Sequence, residues 1–398
     1  MYIQRGSRAF VRAASALAAG SFVTFAALYS VQPLLPEFSR EYGVSPASAS
    51  LSLSISTGVL SISMLLTAAL SDAWGRKRMM LASLAASSLL VLLTAFAPNF
   101  ATLLVLRALQ GFTLAGLPAI AMAYVNEEFD PHDLGLVMGL NIAGNSLGGM
   151  AGRLVSGTVA DLFSWRIAMI GIGIFGILAS IWFWLALPRP AHFRPNPSTL
   201  RNTLPSFGQH LRRPVLLALF LMGFLLMGGF VTLYNYITYV LLSPPYHLSR
   251  SAIGALYLVY LVGTFSSAWM GRLSDQTGRG PVLFAGILIT FVGAWMTWLP
   301  PVVFKLIGLA IFTFGFFGSH SVASSWVGAW AGHNRAQASS LYLLFYYVGS
   351  SLVGWIGGFF FNAWGWIGVL MLISVLLSTA IVVSVWLIRR EKRLPSSH

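Results

Sequence analysis

The chain alternates between long apolar runs and short polar segments. A helix needs about 20 mostly apolar residues to cross a bilayer. Six such runs fall in the first half, near residues 13–35, 48–70, 78–97, 101–125, 135–160 and 166–187. Six more follow near residues 215–241, 250–270, 281–299, 302–329, 338–361 and 367–388. The pattern predicts an all-α integral membrane protein with twelve transmembrane helices in two pseudo-symmetric six-helix bundles.

A polar, proline-rich and basic segment separates the two sets of runs. We interpret residues 188–214 as a cytoplasmic linker between an N-terminal bundle at 1–187 and a C-terminal bundle at 215–398, which ends in a short basic cytoplasmic tail. The halves also repeat, because LSDAWGR and LSDQTGR place Asp72 and Asp275 203 residues apart. Parallel six-helix repeats around a central site are a known architecture of transporters.

Charged residues are scarce and unevenly placed along the chain. Only 9% of the residues are charged, against about 25% in soluble domains. Of the 24 Lys and Arg, 18 fall in alternate segments between the runs, which the positive-inside rule assigns to the cytoplasm together with both termini. The net charge of +14 is therefore attributed to orientation in a bacterial inner membrane and to contact with anionic lipid. The chain has no cysteine, and neither a metal nor a cofactor is expected.

Two loops carry the same signature. AALSDAWGRKR and GRLSDQTGRGP resemble the loop motif G-x-x-x-D-x-x-G-R-[RK] of the major facilitator superfamily, although Ala68 stands where that family usually has glycine. Glycine permits a tight turn, and aspartate can accept bonds from nearby arginines or face a helix N-terminus. The resemblance implies a cytoplasmic gate, formed by Asp72, Gly75, Arg76, Asp275, Gly278 and Arg279.

Further segments extend the resemblance over nearly the whole chain. LRALQGFTLAG resembles the R-x-x-Q-G pattern of the superfamily and places Arg107 inside the fourth helix, where a charge usually marks a functional site. GLNIAGNSLGGMAGR in the fifth helix is similar to the G-P-x-x-G-G signature of drug:proton antiporters, with Asn145 in place of the proline. The glycines of this helix would let a neighbouring backbone approach closely, with or without a hinge role. They are Gly144, Gly148, Gly149 and Gly152.

The positions of the charged residues suggest a substrate class. Every acidic residue lies at a helix end, in a loop or in the tail, whereas Arg107 and Arg153 lie within apolar runs. A cation would be repelled there, so we hypothesise a neutral, zwitterionic or anionic substrate. His320 is a candidate for proton coupling because histidine titrates near neutral pH; the alternative is a histidine bonded to a neighbouring helix. Arg107 is a second coupling candidate, and Asp161 with Arg166 is expected to form a surface pair.

Polar and aromatic residues within the runs are candidates for a substrate site at the membrane midplane, between the halves. Tyrosine also anchors helices at interfaces and fills packing gaps, so each tyrosine has a structural alternative. The candidates are Tyr29, Gln32, Arg107, Asn141, Asn145, Arg153, Tyr234, Asn235, Tyr236, Tyr342 and Tyr346.

Together these features predict a gradient-driven secondary transporter that works by alternating access. Proton-linked efflux of an amphipathic compound or metabolite is the favoured function, and proton-coupled uptake is the alternative because the same machinery runs either way. A channel or an intramembrane enzyme is disfavoured, since the sequence contains no H-E-x-x-H, G-x-S-x-G or Walker loop. The expected partners of this monomer are a small-molecule substrate, protons and membrane lipids, but not nucleic acid.

Overall fold

A computed structural model describes residues 2–193, 205, 207–332 and 335–391, except for the side chains at 68, 69, 72, 73 and 336. Within these residues the structure is helical apart from loops, turns and one isolated bridge between Ile3 and Phe129. The predicted linker 188–214 therefore lies partly outside the described residues.

The α-helices with defined bounds are numbered in chain order. They are α1 Arg8–Tyr29, α2 Leu35–Tyr42, α3 Pro46–Trp74, α4 Arg76–Thr94, α5 Phe100–Leu114, α6 Gly116–Glu128, α7 Leu134–Leu162, α8 Trp165–Ala186, α9 Pro214–Leu242, α10 Arg250–Ala255, α11 Tyr260–Thr277, α12 Arg279–Met296, α13 Val302–Trp330 and α14 Arg335–Glu391.

The helices account for the twelve predicted crossings. Within the described residues, 10 helical segments are long and apolar enough to span a membrane. One of these is α14, which contains two crossings joined at Gly365, where φ is 61°. The remaining crossing is α7, which has 29 residues but is rich in glycine, serine and asparagine. The prediction of a twelve-helix, all-α membrane fold is confirmed.

The chain folds into two compact units. The first comprises Met1–Val44, Leu51–Asn202 and Leu248–Tyr257, and the second comprises Ser45–Ser50, Thr203–His247 and Leu258–His398. These units follow the halves of the sequence with two exceptions. The start of α3 belongs to the second unit, and α10 with Leu256 and Tyr257 belongs to the first.

The first crossing is broken, whereas the sequence pattern predicted a single run over 13–35. α1 ends at Tyr29, a 3-10 turn covers Gln32–Leu34, and α2 begins at Leu35. Pro33 and Pro36 are the physical reason, because proline has no amide hydrogen to continue the helical bonding. The break leaves carbonyl oxygens at the end of α1 available to other donors.

Glycines set the closest helix contacts in each unit. A Cβ atom built on Gly144, Gly148 or Gly152 would lie 2.1–2.6 Å from carbonyl oxygens of α1, so the α1 and α7 backbones touch along one face. Gly349 on α14 has the same relation to α9, since its Cβ would lie 2.2 Å from the carbonyl oxygen of Phe224. Gly149 faces elsewhere, towards the guanidinium of Arg153.

Candidate functional site

A buried arginine on α7 lies at the centre of a polar cluster in the first unit. Arg153 is 2% exposed, and its guanidinium donates hydrogen bonds to Oε1 of Gln32 at 2.7 Å and to the carbonyl oxygen of Gly149 at 2.8 Å. Its guanidinium carbon lies 4.0 Å from the ring centre of Tyr29 and 4.9 Å from that of Tyr257. Cation–π contacts of this kind hold a positive charge in apolar surroundings. The cluster combines one charge with aromatic surface, as an amphipathic anion would require.

The second buried arginine, Arg107 on α5, binds mainly backbone. Its Nη2 donates to the carbonyl oxygen of Leu28 at 2.8 Å, its Nη1 to that of Ala27 at 3.3 Å, and its Nε to that of Ser52 at 2.7 Å. Nη1 also donates to Oε1 of Gln110. Because Ala27 and Leu28 are in the last turn of α1, Arg107 supplies donors and positive charge where a helix C-terminus needs both. Its geometry is that of a clamp between α1 and α3.

Two asparagines on α7 differ in their hydrogen bonding. Asn141 is buried and accepts a hydrogen bond from the hydroxyl of Ser21 at 2.5 Å, which joins α7 to α1. Oδ1 of Asn145 is buried without a hydrogen-bond partner among the described residues. A buried oxygen without a donor is costly, so a donor on a bound ligand would stabilise it.

Helix α10 is held at the C-terminal end of α7. The carboxylate of Asp161 accepts hydrogen bonds from the backbone amides of Arg250 and Ser251 and, at 2.7 Å, from the Ser251 hydroxyl. The guanidinium of Arg250 pairs with Glu37 on α2 at 2.6 Å and donates to the carbonyl oxygen of Ala160 at 3.1 Å. We call these contacts of α10 with α2 and α7 the α10 clasp.

The α10 clasp is reinforced by two glycines. A Cβ atom built on Gly157 would lie 2.9 Å from the carbonyl oxygen of Arg250, and one built on Gly254 would lie 3.0 Å from that of Leu154. The two helices can therefore meet backbone to backbone only because both positions lack a side chain. Just beyond α10, Tyr257 places its ring against Arg153.

The predicted pair of Asp161 with Arg166 is wrong. Arg166 pairs with Glu41 on α2 and lies over the ring of Trp165. Asp161 instead caps α10, since the first amides of a helix have no acceptors of their own.

In the second unit, His320 on α13 lies among tyrosines of α14. Its Nδ1 is 2.9 Å from the hydroxyl oxygen of Tyr342, and its ring centre is 4.6 Å from that of Tyr346. The ring of Phe316 is nearly parallel to that of His320, with ring centres 6.1 Å apart. A histidine bonded to a tyrosine hydroxyl can exchange a proton with it or simply join two helices, and the geometry is compatible with both.

The three candidates on α9 point in different directions. Tyr234 bonds to the hydroxyl of Thr313 at 2.7 Å and belongs to the same aromatic cluster as Phe230 and Phe316. Tyr236 donates to the carbonyl oxygen of Gly354 at 2.6 Å and packs against α14. Asn235 between them is fully buried. Tyr234 is thus connected to His320 through the rings of this aromatic cluster, whereas Tyr236 contributes to the packing of α9 against α14.

The two signature loops make the expected turns. Gly75 and Gly278 have φ of 97° and 93°, a region that favours glycine. Arg76 forms a bidentate pair with Glu127 on α6, at 2.7 and 3.2 Å, and donates to Ser71 at 2.6 Å. The side chain of Asp72 lies outside the described residues.

The second loop has fewer contacts than the first. Among the residues described, Asp275 is exposed and forms no ion pair, and Nε of Arg279 is buried without an acceptor. The gate formed by these loops stays a prediction.

Several residues of these clusters were not predicted from the sequence. Glu37 and Arg250 lie near the ends of apolar runs, where charged residues are common, and Tyr257 lies inside the run predicted over 250–270. Glu37 and Arg250 could have been suspected as an opposite-charge pair on the same predicted side, but nothing in the sequence links them to Asp161.

Comparison with known proteins agrees with this architecture. The sequence profile of the Major Facilitator Superfamily matches residues 17–262 and 231–398. The chain is 49% identical over 391 residues to the uncharacterized MFS-type transporter YybF of Bacillus subtilis, covering 98% of this chain and 97% of that protein. It is 44% identical over 389 residues to the inner membrane transport protein YnfM of Escherichia coli, with coverages of 98% and 93%.

Solved structures share the fold at low sequence identity. A bacterial homolog of the human lysosomal transporter Spinster, in an inward-facing and unoccupied conformation, aligns with a TM-score of 0.79 at 16% identity, over 99% of this chain and 100% of that one. The nucleoside transporter NupG aligns with a TM-score of 0.74 at 14% identity, over 94% and 99% of the two chains.

Proposed function

Because the chain belongs to the major facilitator superfamily, it is a multi-pass secondary transporter, and we propose that it exports a neutral, zwitterionic or anionic amphipathic compound in exchange for protons. It would do so by alternating access in a bacterial inner membrane, with both termini in the cytoplasm. The name of the 44% identical inner membrane protein supports this location, and the placement of Lys and Arg supports the orientation.

The observation that carries the substrate class is the environment of Arg153. Its guanidinium is buried, bracketed by the rings of Tyr29 and Tyr257. A buried positive charge attracts an anion and repels a cation more strongly than the same charge in water. The rings beside it offer apolar surface to the rest of an amphipathic molecule.

The α10 clasp supports an access route that opens and closes. Tyr257 covers Arg153 directly after α10, and α10 is held by Arg250, Ser251 and two close glycine contacts. Release of α10 would uncover Arg153 from that side. Alternating access requires a barrier over the site that can open on one side, and α10 would serve as such a barrier.

Proton coupling is assigned to the second unit, at His320. It is hydrogen-bonded to Tyr342, and histidine is the side chain whose ordinary pKa lies closest to physiological pH. The bonded pair gives a proton a donor and an acceptor inside the membrane.

Transport in everted membrane vesicles with an imposed pH gradient tests the proposal. Salicylate, chloramphenicol and tetraphenylphosphonium serve as anionic, neutral and permanently cationic probes. We expect gradient-driven accumulation of one of the first two and none of the third. Saturable accumulation of the cation would refute the substrate class, and accumulation in right-side-out vesicles alone would favour uptake over export.

Matched variants separate the role of Arg153 from general damage. Arg153→Gln removes the charge and keeps hydrogen-bonding capacity, so an anionic substrate should bind about ten- to a hundredfold more weakly, corresponding to roughly 1.5–3 kcal/mol for a charged hydrogen bond. Arg166→Gln, which removes an exposed charge paired with Glu41, should transport normally. Equal effects of both variants would contradict the assignment.

A further inference from the structure

Basic residues gather around one end of α8. Trp74, Lys77, Arg78, Trp184 and Arg189 help to line a cavity of about 580 Å³ beside that end. A smaller cavity of about 220 Å³ lies against the same end and is lined in part by Arg8 and Arg12. No acidic residue is among the described residues that line either cavity.

Two of these cations have identified structural partners. The ammonium of Lys77 donates to the carbonyl oxygens of Trp184, at 2.8 Å, and Leu187, and the guanidinium of Arg12 donates to that of Leu185. Both therefore bind the C-terminal carbonyls of α8, which attract positive charge.

The other basic residues at the end of α8 are not bonded to its C-terminal carbonyls among the contacts that the structure describes. Arg8, Arg78 and Arg189 are exposed, and none forms an ion pair with a carboxylate in the part of the chain that the structure describes. Lys77 lies close enough to Arg189 and Arg12 for their charges to act on it. Like charges brought together around a cavity repel one another, and an anion in the cavity would remove that cost.

The surface that continues from this cavity along α8 is apolar. Leu178, Ile181, Trp182 and Leu185 are 46–59% exposed and follow one another at helical spacing, so they form one stripe. At its end, Trp184 and Trp74 are 58% and 66% exposed, as tryptophans at a membrane interface are. The stripe matches an acyl chain, and the basic cavity matches a headgroup.

We propose that the end of α8 is a binding site for an anionic phospholipid, with its phosphate between Arg78 and Arg189 and its acyl chains along the α8 stripe. Free phosphate shares the charge but would gain nothing from the apolar stripe. A zwitterionic phospholipid shares the chains but carries a compensating cation that the basic cavity repels. Basic cavities at the cytoplasmic ends of membrane helices are suited to such headgroups.

The site is tested by native mass spectrometry of the full-length, delipidated protein titrated with phosphatidylglycerol. The test variant is Arg78→Gln/Arg189→Gln, and Arg78→Lys/Arg189→Lys is its charge-preserving counterpart. The control is Arg272→Gln/Arg389→Gln, which removes two exposed charges far along the chain from the cavity.

The expected result is a roughly twenty-five-fold weaker apparent affinity in the test variant, since each of the two basic residues contributes about fivefold to the attraction of anionic lipid. The lysine variant should keep most of the affinity, and the control should match the parent protein. Phosphatidylcholine should bind weakly to all four proteins. The proposal fails if the test variant and the control lose equal affinity, if phosphatidylcholine binds the parent protein as tightly, or if inorganic phosphate displaces phosphatidylglycerol.

Discussion

Replacing Arg250 by glutamine is expected to release α10 from α7 and α2. The substitution removes the ion pair with Glu37 and the hydrogen bond to the carbonyl oxygen of Ala160. The side chains of Arg250 and Glu37 are 29% and 16% exposed. Exposed pairs contribute about 0.2–1 kcal/mol and hydrogen bonds of charged groups about 1.5–3 kcal/mol. Because the site is half-buried, we take roughly 2 kcal/mol for the loss of both, which is about a thirtyfold shift between the clasped and released states.

Cysteine labelling measures this shift directly, because the natural chain has no cysteine. Ser156→Cys is nearly isosteric and places a single thiol at a fully buried position, beside Gly157 and one turn from Arg153. Labelling by a membrane-impermeant maleimide then follows the fraction of molecules in which α10 is released. We expect Arg250→Gln to accelerate the labelling of this thiol by about thirtyfold.

A control at the same end of the molecule limits the interpretation. Arg166→Gln also removes a cation paired with a carboxylate of α2, but Arg166 is not part of the α10 clasp. It should leave the labelling rate unchanged. If the Arg250 variant labels no faster than the parent, or if the Arg166 variant labels equally fast, the α10 clasp does not cover Arg153.

Three further substitutions test other parts of the structure. His320→Gln should abolish transport driven by a pH gradient and keep substrate exchange, whereas unchanged pH dependence would reject coupling at this residue. Gly148→Leu should lower the melting temperature of the purified protein, because a Cβ there would lie 2.1 Å from a carbonyl oxygen of α1 and overpacking costs about 1–3 kcal/mol. The control is Gly171→Leu, which should leave the melting temperature unchanged because a Cβ at Gly171 meets open space. Arg107→Ala should destabilise the protein by about 1–3 kcal/mol, since it leaves buried carbonyls of α1 and α3 without their donor. Altered substrate selectivity at unchanged thermal stability would contradict the clamp.

The sequence predicted the crossings well because the bilayer imposes one length and one composition on every helix. The hydropathy pattern did not predict the places where a helix is interrupted within a crossing. The first crossing breaks at Pro33 and Pro36, and the predicted run over 250–270 contains α10, a 3-10 turn and the start of α11. A hydropathy window averages over such breaks, because a few polar residues such as Ser30 and Gln32 change the mean of a long window little. The prolines were the available signal for the first break.

Partners of the charged residues were harder to predict than their positions. Asp161 lies five residues from Arg166 in sequence and was assigned to it, yet it binds Ser251, 90 residues away. Proximity along the chain favours a contact only weakly when a helix terminus with unsatisfied amides competes for the same carboxylate. The hydrogen-bond partner of a side chain at the end of a membrane helix depends on which helix packs beside it. The hydrophobicity pattern does not predict which helices are neighbours.

The two buried arginines both lie within apolar runs of the sequence, but their contacts in the structure differ. Arg107 is bonded to carbonyls that the break in the first crossing leaves open, and these lie shortly before the turn that carries Gln32. Gln32 in turn accepts a hydrogen bond from Arg153 at 2.7 Å. We therefore expect Arg107 to influence Arg153 only indirectly, through the backbone of α1. We expect Arg107 to stabilise the break in the helix, and Arg153, which lies against two tyrosine rings, to be the charge that a substrate meets.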